Sequence, residues 1–444
     1  MKWKKKNNTA LKWIDEFIEN VHPYIFVRTE DNILIKRPNQ ATKINGTGAR
    51  ILHFLLNGGT ISELLKKAGN DKAQEIELFM LAVKSYFEGT LNEFSFNPAV
   101  ESSPFEMNFS TLPVLSEFAL TYKCNIKCQF CYAGCNCTTN PIESNKELSL
   151  EECYQIIDSI FKEAKVPSIS FTGGEPTLRR VVLVACIAYA KKLGMRVNLI
   201  TNGTLVDQEY ARELVDAGLD SVQVSIEGVT ADVHDLVVGK KGAFHKSIKA
   251  VKCFKKLGIH VHTNTTLNRL NLKDSFELPV FVRNLDIDRF SMNLIIPTGS
   301  SLINTELVIP YKEVGTYIEQ IHVKSEELGI EFMWYSPVPM CMFNTITQGL
   351  GNKGCAACDG LLSVAANGDV LPCASYDRPV GNLLTDGFST VWQNPDSVFF
   401  REKQFAHTIC QKCDHLALCN GGCPLYWRNK GFEELIQVNK QTVL

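Results

Sequence analysis

Apolar and polar residues follow two different patterns along the chain. Residues 24–37 read YIFVRTEDNILIKR, in which two alternating stretches flank a Glu-Asp-Asn centre, and this pattern predicts a β-hairpin. Three segments with a helical period follow, at residues 46–56, 60–69 and 72–89. We expect a small winged-helix-like domain within residues 1–100, with an aperiodic linker that contains Pro, Ser and Asn leading out of it.

From about residue 113 to 330 the pattern becomes a regular alternation of strand-like runs and amphipathic helices. Ser149 and Glu152 form a capping box before one helix, and Asp207 and Gly218 bracket another. This alternation predicts parallel strands, and six units in succession predict an open or closed α/β barrel. The six runs are residues 115–122, 168–173, 196–203, 221–228, 260–268 and 289–299.

Unusual residues follow each of the first four predicted strands. Cysteines come after the first strand, Gly-Gly-Glu-Pro after the second, Thr-Asn-Gly after the third and Ser-Ile-Glu-Gly after the fourth. The carboxyl ends of parallel barrel strands share one face, where the chemistry of such barrels gathers. Tight turns alone would explain the glycines but not the cysteines. We therefore expect a functional site at this face.

Composition and charge exclude several classes of protein. The chain of 444 residues is 45% hydrophobic with a formal net charge of -2, which is typical of a globular protein of about two to three domains. No apolar run approaches the ~18 residues that a membrane span needs, so we expect a cytoplasmic protein with no membrane partner. Near-neutral charge also argues against a nucleic-acid partner, because such binding depends on neutralised phosphates.

Sixteen cysteines are unexpected in a reducing compartment, where clustered cysteines indicate metal binding or thiol chemistry. Cys153, Cys186 and Cys253 each stand alone in a helical apolar pattern and are expected to be buried structural residues. The other thirteen fall within residues 124–137 and 341–423.

The first group contains Cys124, Cys128 and Cys131 with the spacing C-x3-C-x2-C. Three thiolates on a [4Fe–4S] cluster leave one iron without a protein ligand. An iron of this kind can bind and reduce a small molecule.

These motifs together resemble the radical S-adenosylmethionine (SAM) superfamily. The matching text is CNIKCQFC, FTGGEPTLR, NLITNGT and VSIEG, in the order that the family shows. The resemblance implies a partial (β/α)6 TIM-like barrel in which Cys124, Cys128 and Cys131 ligate the cluster and its open iron chelates SAM. Reductive cleavage of SAM would then yield a 5'-deoxyadenosyl radical that removes a hydrogen atom from the substrate.

The same resemblance implies a set of SAM contacts. Phe130 and Tyr132 would lie beside the adenine. Gly173, Gly174 and Glu175 would hold the methionyl amino group, because glycines let the backbone approach a ligand closely. The remaining implied contacts, to ribose or carboxylate, are Asn202 and Ser225.

Several residues near this site have more than one possible role. Cys135 and Cys137 are interpreted as spare thiols, near-cluster ligands or a redox pair. Glu227, His262 and Asn264 are expected to face the cavity, but each could equally be a hydrogen-bonded barrel residue. No catalytic proton donor or acceptor is identified.

The second group of cysteines lies in the last hundred residues. The segment SVAANGDVLPC predicts a strand, a turn and a strand. Two C-x2-C pairs can build a zinc ribbon, although the pairs here are far apart. The better match is the SPASM domain of radical SAM enzymes, over residues 331–444, which implies one or two auxiliary iron-sulfur clusters. The expected ligands are Cys341, Cys355, Cys358, Cys373, Cys410, Cys413, Cys419 and Cys423.

The resemblance to the SPASM domain also implies how the cysteines divide. Cys358, Cys373 and Cys423 would share one cluster with Cys355 or Cys341. The second cluster is left with Cys410, Cys413 and Cys419, because this sequence lacks the further downstream cysteine of the family. Its fourth position is assigned to Cys341, to a non-cysteine ligand or to substrate.

The N-terminal domain resembles the small peptide-chaperone domain of the pyrroloquinoline-quinone pathway, which is fused to many peptide-modifying radical SAM enzymes. The text that carries this resemblance is INGTGARILHFLLNGGTISELLKKAG. It implies recognition of the leader of a precursor peptide, by addition of an extended strand to a sheet edge. A winged helix that only packs on the barrel, or that binds DNA, is the alternative.

The sequence thus predicts a radical SAM/SPASM oxidoreductase or maturase that modifies a ribosomally synthesised peptide, for instance by a thioether or carbon–carbon crosslink. A flavodoxin- or ferredoxin-type protein would supply electrons. One alternative is an enzyme that acts on a tetrapyrrole side chain of a haem precursor. Another is a non-catalytic iron-sulfur electron carrier or scaffold.

Overall fold

The chain divides into two compact units, Met1–Val114 and Leu115–Leu444, each described by itself. The computed structural model describes residues 11–38, 40–88, 110–135 and 147–442.

The smaller unit combines a three-stranded antiparallel sheet, in the order β1-β2-β3, with four helices. The predicted hairpin is β1 and β2, and the three predicted helices are α2, α3 and α4, so these predictions are confirmed. Helix α1 and strand β3 were not predicted. The elements are α1 (Trp13–Val21), β1 (Ile25–Arg28), β2 (Ile33–Lys36), β3 (Gln40–Lys43), α2 (Gly46–Leu56), α3 (Ile61–Ala68) and α4 (Ala73–Glu88).

The core of this unit lies between the helices and one face of the sheet, where Ile14, Leu52 and Met80 are fully buried. A buried ion pair closes the β1–β2 turn, because the Arg28 guanidinium donates to the Asp31 carboxylate over 2.8 Å. The same guanidinium bonds the carbonyls of residues 112 and 113. Hydrogen bonds to both partners compensate for the desolvation of this buried pair.

The larger unit is built on a ten-stranded sheet whose order is β10-β9-β8-β7-β6-β5-β4-β11-β12-β13. Its strands are β4 (Leu115–Thr121), β5 (Ser168–Gly173), β6 (Arg196–Thr201), β7 (Ser221–Ser225), β8 (His260–Leu267), β9 (Arg289–Leu294), β10 (Glu331–Trp334), β11 (Leu361–Val364), β12 (Asp369–Leu371) and β13 (Gly381–Asn382).

Strands β4 to β9 are the six predicted runs, and all five of their pairings are parallel. Strand β10 pairs in parallel with β9 and continues the sheet. At the other edge β11 pairs in parallel with β4, and β11 and β12 form the predicted strand-turn-strand. The cysteine-rich region is therefore attached to the first barrel strand through the backbone of β11.

Helices connect the parallel strands and follow the last of them. The Ser149–Glu152 capping box and the Asp207 cap are both present. The helices are α5 (Leu150–Asp158), α6 (Arg180–Lys192), α7 (Gln208–Asp216), α8 (Ala231–Val238), α9 (Ala243–Lys256), α10 (Leu272–Ser275), α11 (Leu278–Asn284), α12 (Tyr311–Glu327), α13 (Phe388–Gln393), α14 (Pro395–Arg401), α15 (Thr408–Gln411), α16 (Leu416–Cys419), α17 (Pro424–Lys430) and α18 (Glu433–Thr442).

Among the helices that the structure describes, none has both the length and the apolar character required to cross a membrane.

Candidate functional site

The described part of the cysteine loop after β4, up to residue 135, is held at three places by backbone hydrogen bonds. The amides of Gly174 and Glu175 donate to Thr121 and Lys123 at the start of the loop, over 2.7 and 2.9 Å. In the middle, the Lys127 amide donates to a carbonyl at the end of α8 over 3.0 Å. The carbonyl of Cys131 accepts from the amide of Ser300, which follows β9, over 2.9 Å. The described part of the loop is thus positioned by the turn after β5, the end of helix α8 and the segment after β9.

The structure brings the three predicted cluster ligands together. Cys124 and Cys128 pack against the buried side chain of Ile126 and a residue at the end of α8. Burial raises the pKa of Cys124 to about 11, and it raises the pKa of Cys128 well above the ordinary value, with added repulsion from Cys131 and Cys124. These two thiols are therefore protonated at neutral pH and must lose a proton to bind iron.

Cys131 differs from the other two because the thiol of Cys135 donates a hydrogen bond to it. This bond lowers the pKa of Cys131 to about 7 and raises that of Cys135. Cys135 is buried beside the predicted ligand, whereas Cys137 lies outside the described residues.

The Gly-Gly-Glu-Pro turn after β5 lies directly against the start of the cysteine loop. Gly173 has a φ of 133°, and a side chain at either glycine would overlap backbone atoms of residues 121–123. Glycine is required at both positions because the two backbones approach each other so closely.

The carboxylate of Glu175 is fully buried and saturated with hydrogen bonds. It accepts from the backbone amide and hydroxyl of Thr177, from the hydroxyl of Thr201 over 2.6 Å and from the amide of Asn202 over 2.8 Å. Its side chain therefore ties the turn after β5 to the turn after β6. Burial nevertheless raises its pKa above the ordinary value.

The Asn202 side chain reaches the cysteine loop itself. Its Nδ2 donates to Asn125 Oδ1 over 3.0 Å and lies 4.0 Å from Cys124 Sγ. Its Oδ1 accepts from Thr204. Asn125 and Thr204 are thus positioning residues that the sequence analysis did not identify, although both adjoin motifs that it did.

The other predicted SAM contacts lie on the same face. Phe130 and Tyr132 are half-buried in the cysteine loop, and burial raises the pKa of Tyr132. Ser225 ends β7 and is paired in register with Asn264 of β8. Asn264 is buried, and its Oδ1 accepts from Ser291 over 2.8 Å.

Glu227 and His234 form a second buried polar pair beside this face. Glu227 Oε2 accepts from the amide of Thr266 over 2.8 Å, and the Glu227 amide donates to His234 Nδ1 over 3.0 Å. Burial raises the pKa of Glu227 to about 8 and lowers that of His234 to about 4. Glu227 also interacts electrostatically with Cys128, so it is a second acid beside the cysteine loop, in addition to Glu175.

His262 also lies in β8, two residues before Asn264 and therefore on the same face of the strand. Its Nε2 is 3.1 Å from Gln223 Oε1, and its buried Nδ1 has no hydrogen-bond partner. Burial lowers its pKa to about 3.

Glu117 in β4 was missed, although an acid inside an otherwise apolar strand is a visible signal. Its carboxylate accepts from Ser363 Oγ of β11 over 2.7 Å and from the backbone amide of Ala374. Burial raises its pKa, and it interacts electrostatically with the thiol of Cys373. Glu117 thus connects the first barrel strand to the C-terminal cysteines.

Cys355, Cys373 and Cys423 form one group of C-terminal cysteines. Burial raises the pKa of each, and neighbouring thiols of the group raise the pKa of Cys373 and Cys423 further. The amide of Cys358 donates to the carbonyl of Pro372 over 3.1 Å, which places Cys358 beside this group.

Lys403 adjoins the same group and was also missed. Its ammonium group is fully buried and donates to the carbonyl of Cys355 over 2.7 Å and to Asp359 over 2.8 Å. Its Nζ positive charge would stabilise thiolates at this position.

The second group comprises Cys341, Cys410, Cys413 and Cys419. Cys410 interacts electrostatically with the other three, and burial raises its pKa to about 11. The amide of Met340 donates to Cys419 Sγ over 3.2 Å. The predicted buried residues Cys153, Cys186 and Cys253 lie outside both groups and are confirmed as buried.

The cysteine sets fit iron-sulfur clusters better than single ions. Among the described residues, no three His, Cys, Asp or Glu side chains converge tightly enough for one metal ion. A [4Fe–4S] cube has four irons at separate corners, so its thiolates lie further apart than those of a mononuclear site. Neighbouring thiols held on loops are the arrangement that such a cube requires.

Comparison with known proteins identifies the family to which the two cysteine-rich regions are similar. A family model of the Radical SAM superfamily matches residues 118–275, and a SPASM model, an iron-sulfur cluster-binding domain, matches residues 334–414. The chain is 30% identical over 338 residues to AdoMet-dependent heme synthase from Oleidesulfovibrio alaskensis, across 72% of this chain and 83% of the relative. It is 26% identical over 330 residues to PqqA peptide cyclase from Bradyrhizobium diazoefficiens, across 70% of this chain and 81% of the relative.

Among solved structures, the fold is similar to Streptococcus suis SuiB bound to the precursor peptide SuiA. The TM-score is 0.67 at 21% identity, and the match covers 91% of this chain and 95% of that chain. At this identity the similarity concerns the fold.

Proposed function

Since this chain belongs to the radical SAM superfamily and carries a SPASM domain, we propose that it modifies a ribosomally synthesised peptide. It is an enzyme that uses SAM and a [4Fe–4S] cluster, and its SPASM domain binds auxiliary iron-sulfur clusters. The proposed product is a crosslinked peptide, with a thioether or carbon–carbon bond. The observation that carries the proposal is the edge strand β3 of the smaller unit, which pairs with no strand beyond β2 among the described residues.

Strand β3 is at the edge of its sheet. The Ile44 amide, just after β3, donates to the Asn32 carbonyl over 2.9 Å. Because antiparallel partners alternate, the amide of Thr42 faces β2 and that of Lys43 faces outward. Helix α4 runs beside this edge, since Thr42 Oγ1 donates to Tyr86 Oη over 2.7 Å. An extended peptide could join β3 as a further strand, with α4 contacting its side chains.

In the larger unit, Cys124, Cys128 and Cys131 would hold the cluster. When bound, the cluster and SAM supply a reductive cleavage that generates a radical able to remove hydrogen from an unactivated carbon. The chain would orient SAM through the backbone of Gly173 and Gly174, while the Glu175 side chain holds that turn in place. These roles remain proposals for the individual residues.

Asn202, Ser225, Phe130 and Tyr132 are proposed as further SAM contacts, because they lie on the strand-end face that carries the cysteine loop. Half-buried aromatic rings in this loop would also exclude water from the reacting atoms.

The relatives are consistent with a peptide substrate. PqqA peptide cyclase carries a peptide in its name, and SuiB was solved with its precursor peptide. The SuiB match also covers 91% of this chain, against 70% for PqqA peptide cyclase. We further propose that electrons come from a flavodoxin- or ferredoxin-type protein.

A second candidate function is modification of a tetrapyrrole. The observation that favours it is sequence identity, which is 30% to AdoMet-dependent heme synthase and 26% to PqqA peptide cyclase. A non-catalytic electron carrier is not retained, because the chain is a radical SAM enzyme.

The test is capture of peptides from native host lysate by the full-length protein, followed by turnover. Peptides retained by the wild type are identified by mass spectrometry, synthesised and incubated with the reconstituted enzyme and SAM. We expect one leader-bearing peptide to lose two hydrogens, the mass change of a crosslink. Conversion of an iron porphyrin precursor instead, with no change in any retained peptide, would support the tetrapyrrole function.

A pair of variants at one position tests the role of β3. Lys43→Pro removes the outward amide and spares the bonds to β2, because proline is tolerated at an open strand edge. Lys43→Ala removes the charge but keeps the amide. We expect Lys43→Pro to abolish peptide retention and Lys43→Ala to preserve it. Equal retention by both variants would contradict strand addition at this edge.

A further inference from the structure

The second auxiliary site lacks an obvious fourth ligand. Cys410, Cys413 and Cys419 lie within ten residues of one another, and Cys423 belongs with Cys355 and Cys373. The sequence has no cysteine after Cys423. A [4Fe–4S] cluster with three thiolates keeps one iron open to another ligand.

The segment that precedes Cys341 lies directly on this site. The amide of Met340 donates to Cys419 Sγ over 3.2 Å, within hydrogen-bond range for sulfur. A Cβ placed on Gly422 would lie 3.0 Å from Pro339 Cγ, so Pro339 packs against the loop that follows Cys419. Two separate contacts therefore bring the residues before Cys341 to the second group of cysteines.

The electrostatic neighbours of Cys341 identify which site it adjoins. They are Cys419 and Cys413, and Cys410 in turn interacts with Cys341. Cys355, the other candidate for the fourth position of the first cluster, interacts with Cys358, Cys373 and Cys423. The two cysteines that the sequence leaves as alternatives for the first cluster are thus separated by their positions in the fold.

We infer that Cys341 is the fourth protein ligand of the second auxiliary cluster, which is completed from upstream of the SPASM cysteines. Cys355, Cys358, Cys373 and Cys423 then form the first auxiliary site. Each auxiliary cluster has four thiolates, so neither offers an open iron to substrate. The second cluster therefore does not bind the substrate through an open iron. This inference is independent of the substrate proposed above.

The experiment uses the full-length chain with Cys124, Cys128 and Cys131 all replaced by Ala, so that only auxiliary clusters remain. In this background, Cys341→Ala, Cys413→Ala and the double variant are reconstituted and compared without any substrate. Iron and sulfide content and the electron paramagnetic resonance spectra of the reduced proteins are measured. Cys253→Ala is the matched control, because Cys253 is buried outside both sites.

We expect Cys341→Ala and Cys413→Ala to alter the same spectral component, because each leaves three thiolates on the second cluster, and the double variant, which leaves two, to lose that component. The other component should persist in all three variants, with about four irons per chain in the double variant. Imidazole should shift the altered component in Cys341→Ala but not in the parent.

Two results would overturn the inference. A Cys341→Ala protein with both spectral components unchanged would mean that another group is the fourth ligand. A double variant that also loses the other component would place Cys341 in the first site. Cys341→Ser, whose oxygen can ligate iron, should retain the cluster with a shifted spectrum, which separates loss of ligation from a failure to fold.

Discussion

Buried polar residues around the cysteine loop act by fixing the backbone on which the loop rests. Glu175 and Asn202 join the turns after β5 and β6, and His234 accepts a hydrogen bond from the backbone amide of Glu227 after β7. An unsatisfied buried polar group costs about 1–3 kcal/mol, so each of these bonds constrains the turn that carries it. The site is therefore sensitive to the protonation of the residues that surround it.

His234 gives this sensitivity a predictable pH dependence. Burial lowers its pKa to about 4, against an unfolded value of 6.5, so the unfolded chain binds more protons between these values. Stability from neutral His234 is complete above pH 6.5 and is lost as the pH falls towards 4. We expect this residue to lower the free energy of unfolding by about 2 kcal/mol between pH 7.5 and 5.

The measurement is urea unfolding of the cluster-free protein at both pH values. His234→Asn cannot be protonated, so its loss of stability between pH 7.5 and 5 should be about 2 kcal/mol smaller than that of the wild type. His245→Asn, at an exposed position, should behave as the wild type does. Identical pH dependence in wild type and His234→Asn would refute the assignment.

At the scale of elements, helix α5 begins with the capping box that the sequence predicts. Ser149 Oγ accepts from the Glu152 amide over 3.2 Å, and the Glu152 carboxylate accepts from the Ser149 amide over 2.8 Å. We expect Ser149→Ala to lower the free energy of unfolding by about 1 kcal/mol, because a terminal amide loses its acceptor.

Urea unfolding of the larger unit measures this effect. Ser149→Asp retains a capping oxygen. Its free energy of unfolding should therefore lie within roughly 0.5 kcal/mol of that of the wild type. Destabilisation by Asp as large as that by Ala would show that the cap is not the cause.

At the scale of the whole molecule, two compact units with separate cores predict two separable unfolding transitions. Leu52 in the smaller unit and Leu199 in the larger are both fully buried. Leucine to alanine at such positions costs about 2–5 kcal/mol. We expect Leu52→Ala to lower the midpoint temperature of only one calorimetric transition. Leu199→Ala should lower the midpoint temperature of only the other.

Each variant is the control for the other, since the substitution is the same and only the core differs. A shift of both transitions by either variant would show that the two units unfold as one.

The elements that could be predicted from the sequence are those that depend on residues close together along the chain. The six barrel strands, the hairpin and the helix caps were predictable, because periodicity and capping residues act within a few positions. Strand β3 was not, since its sequence Gln-Ala-Thr-Lys has no apolar alternation and it forms only by pairing with β2.

The sequence by itself determined the family, the parallel barrel and the three cysteines at C-x3-C-x2-C, because these depend on spacing along the chain. Only the tertiary structure decided which distant residues meet: Glu117 beside Ala374, Lys403 beside Cys355, and Met340 beside Cys419. Cys341 and Cys355 have the same chemistry and similar positions in sequence. Packing places them in different groups, and packing is a property of the folded chain that no local pattern encodes.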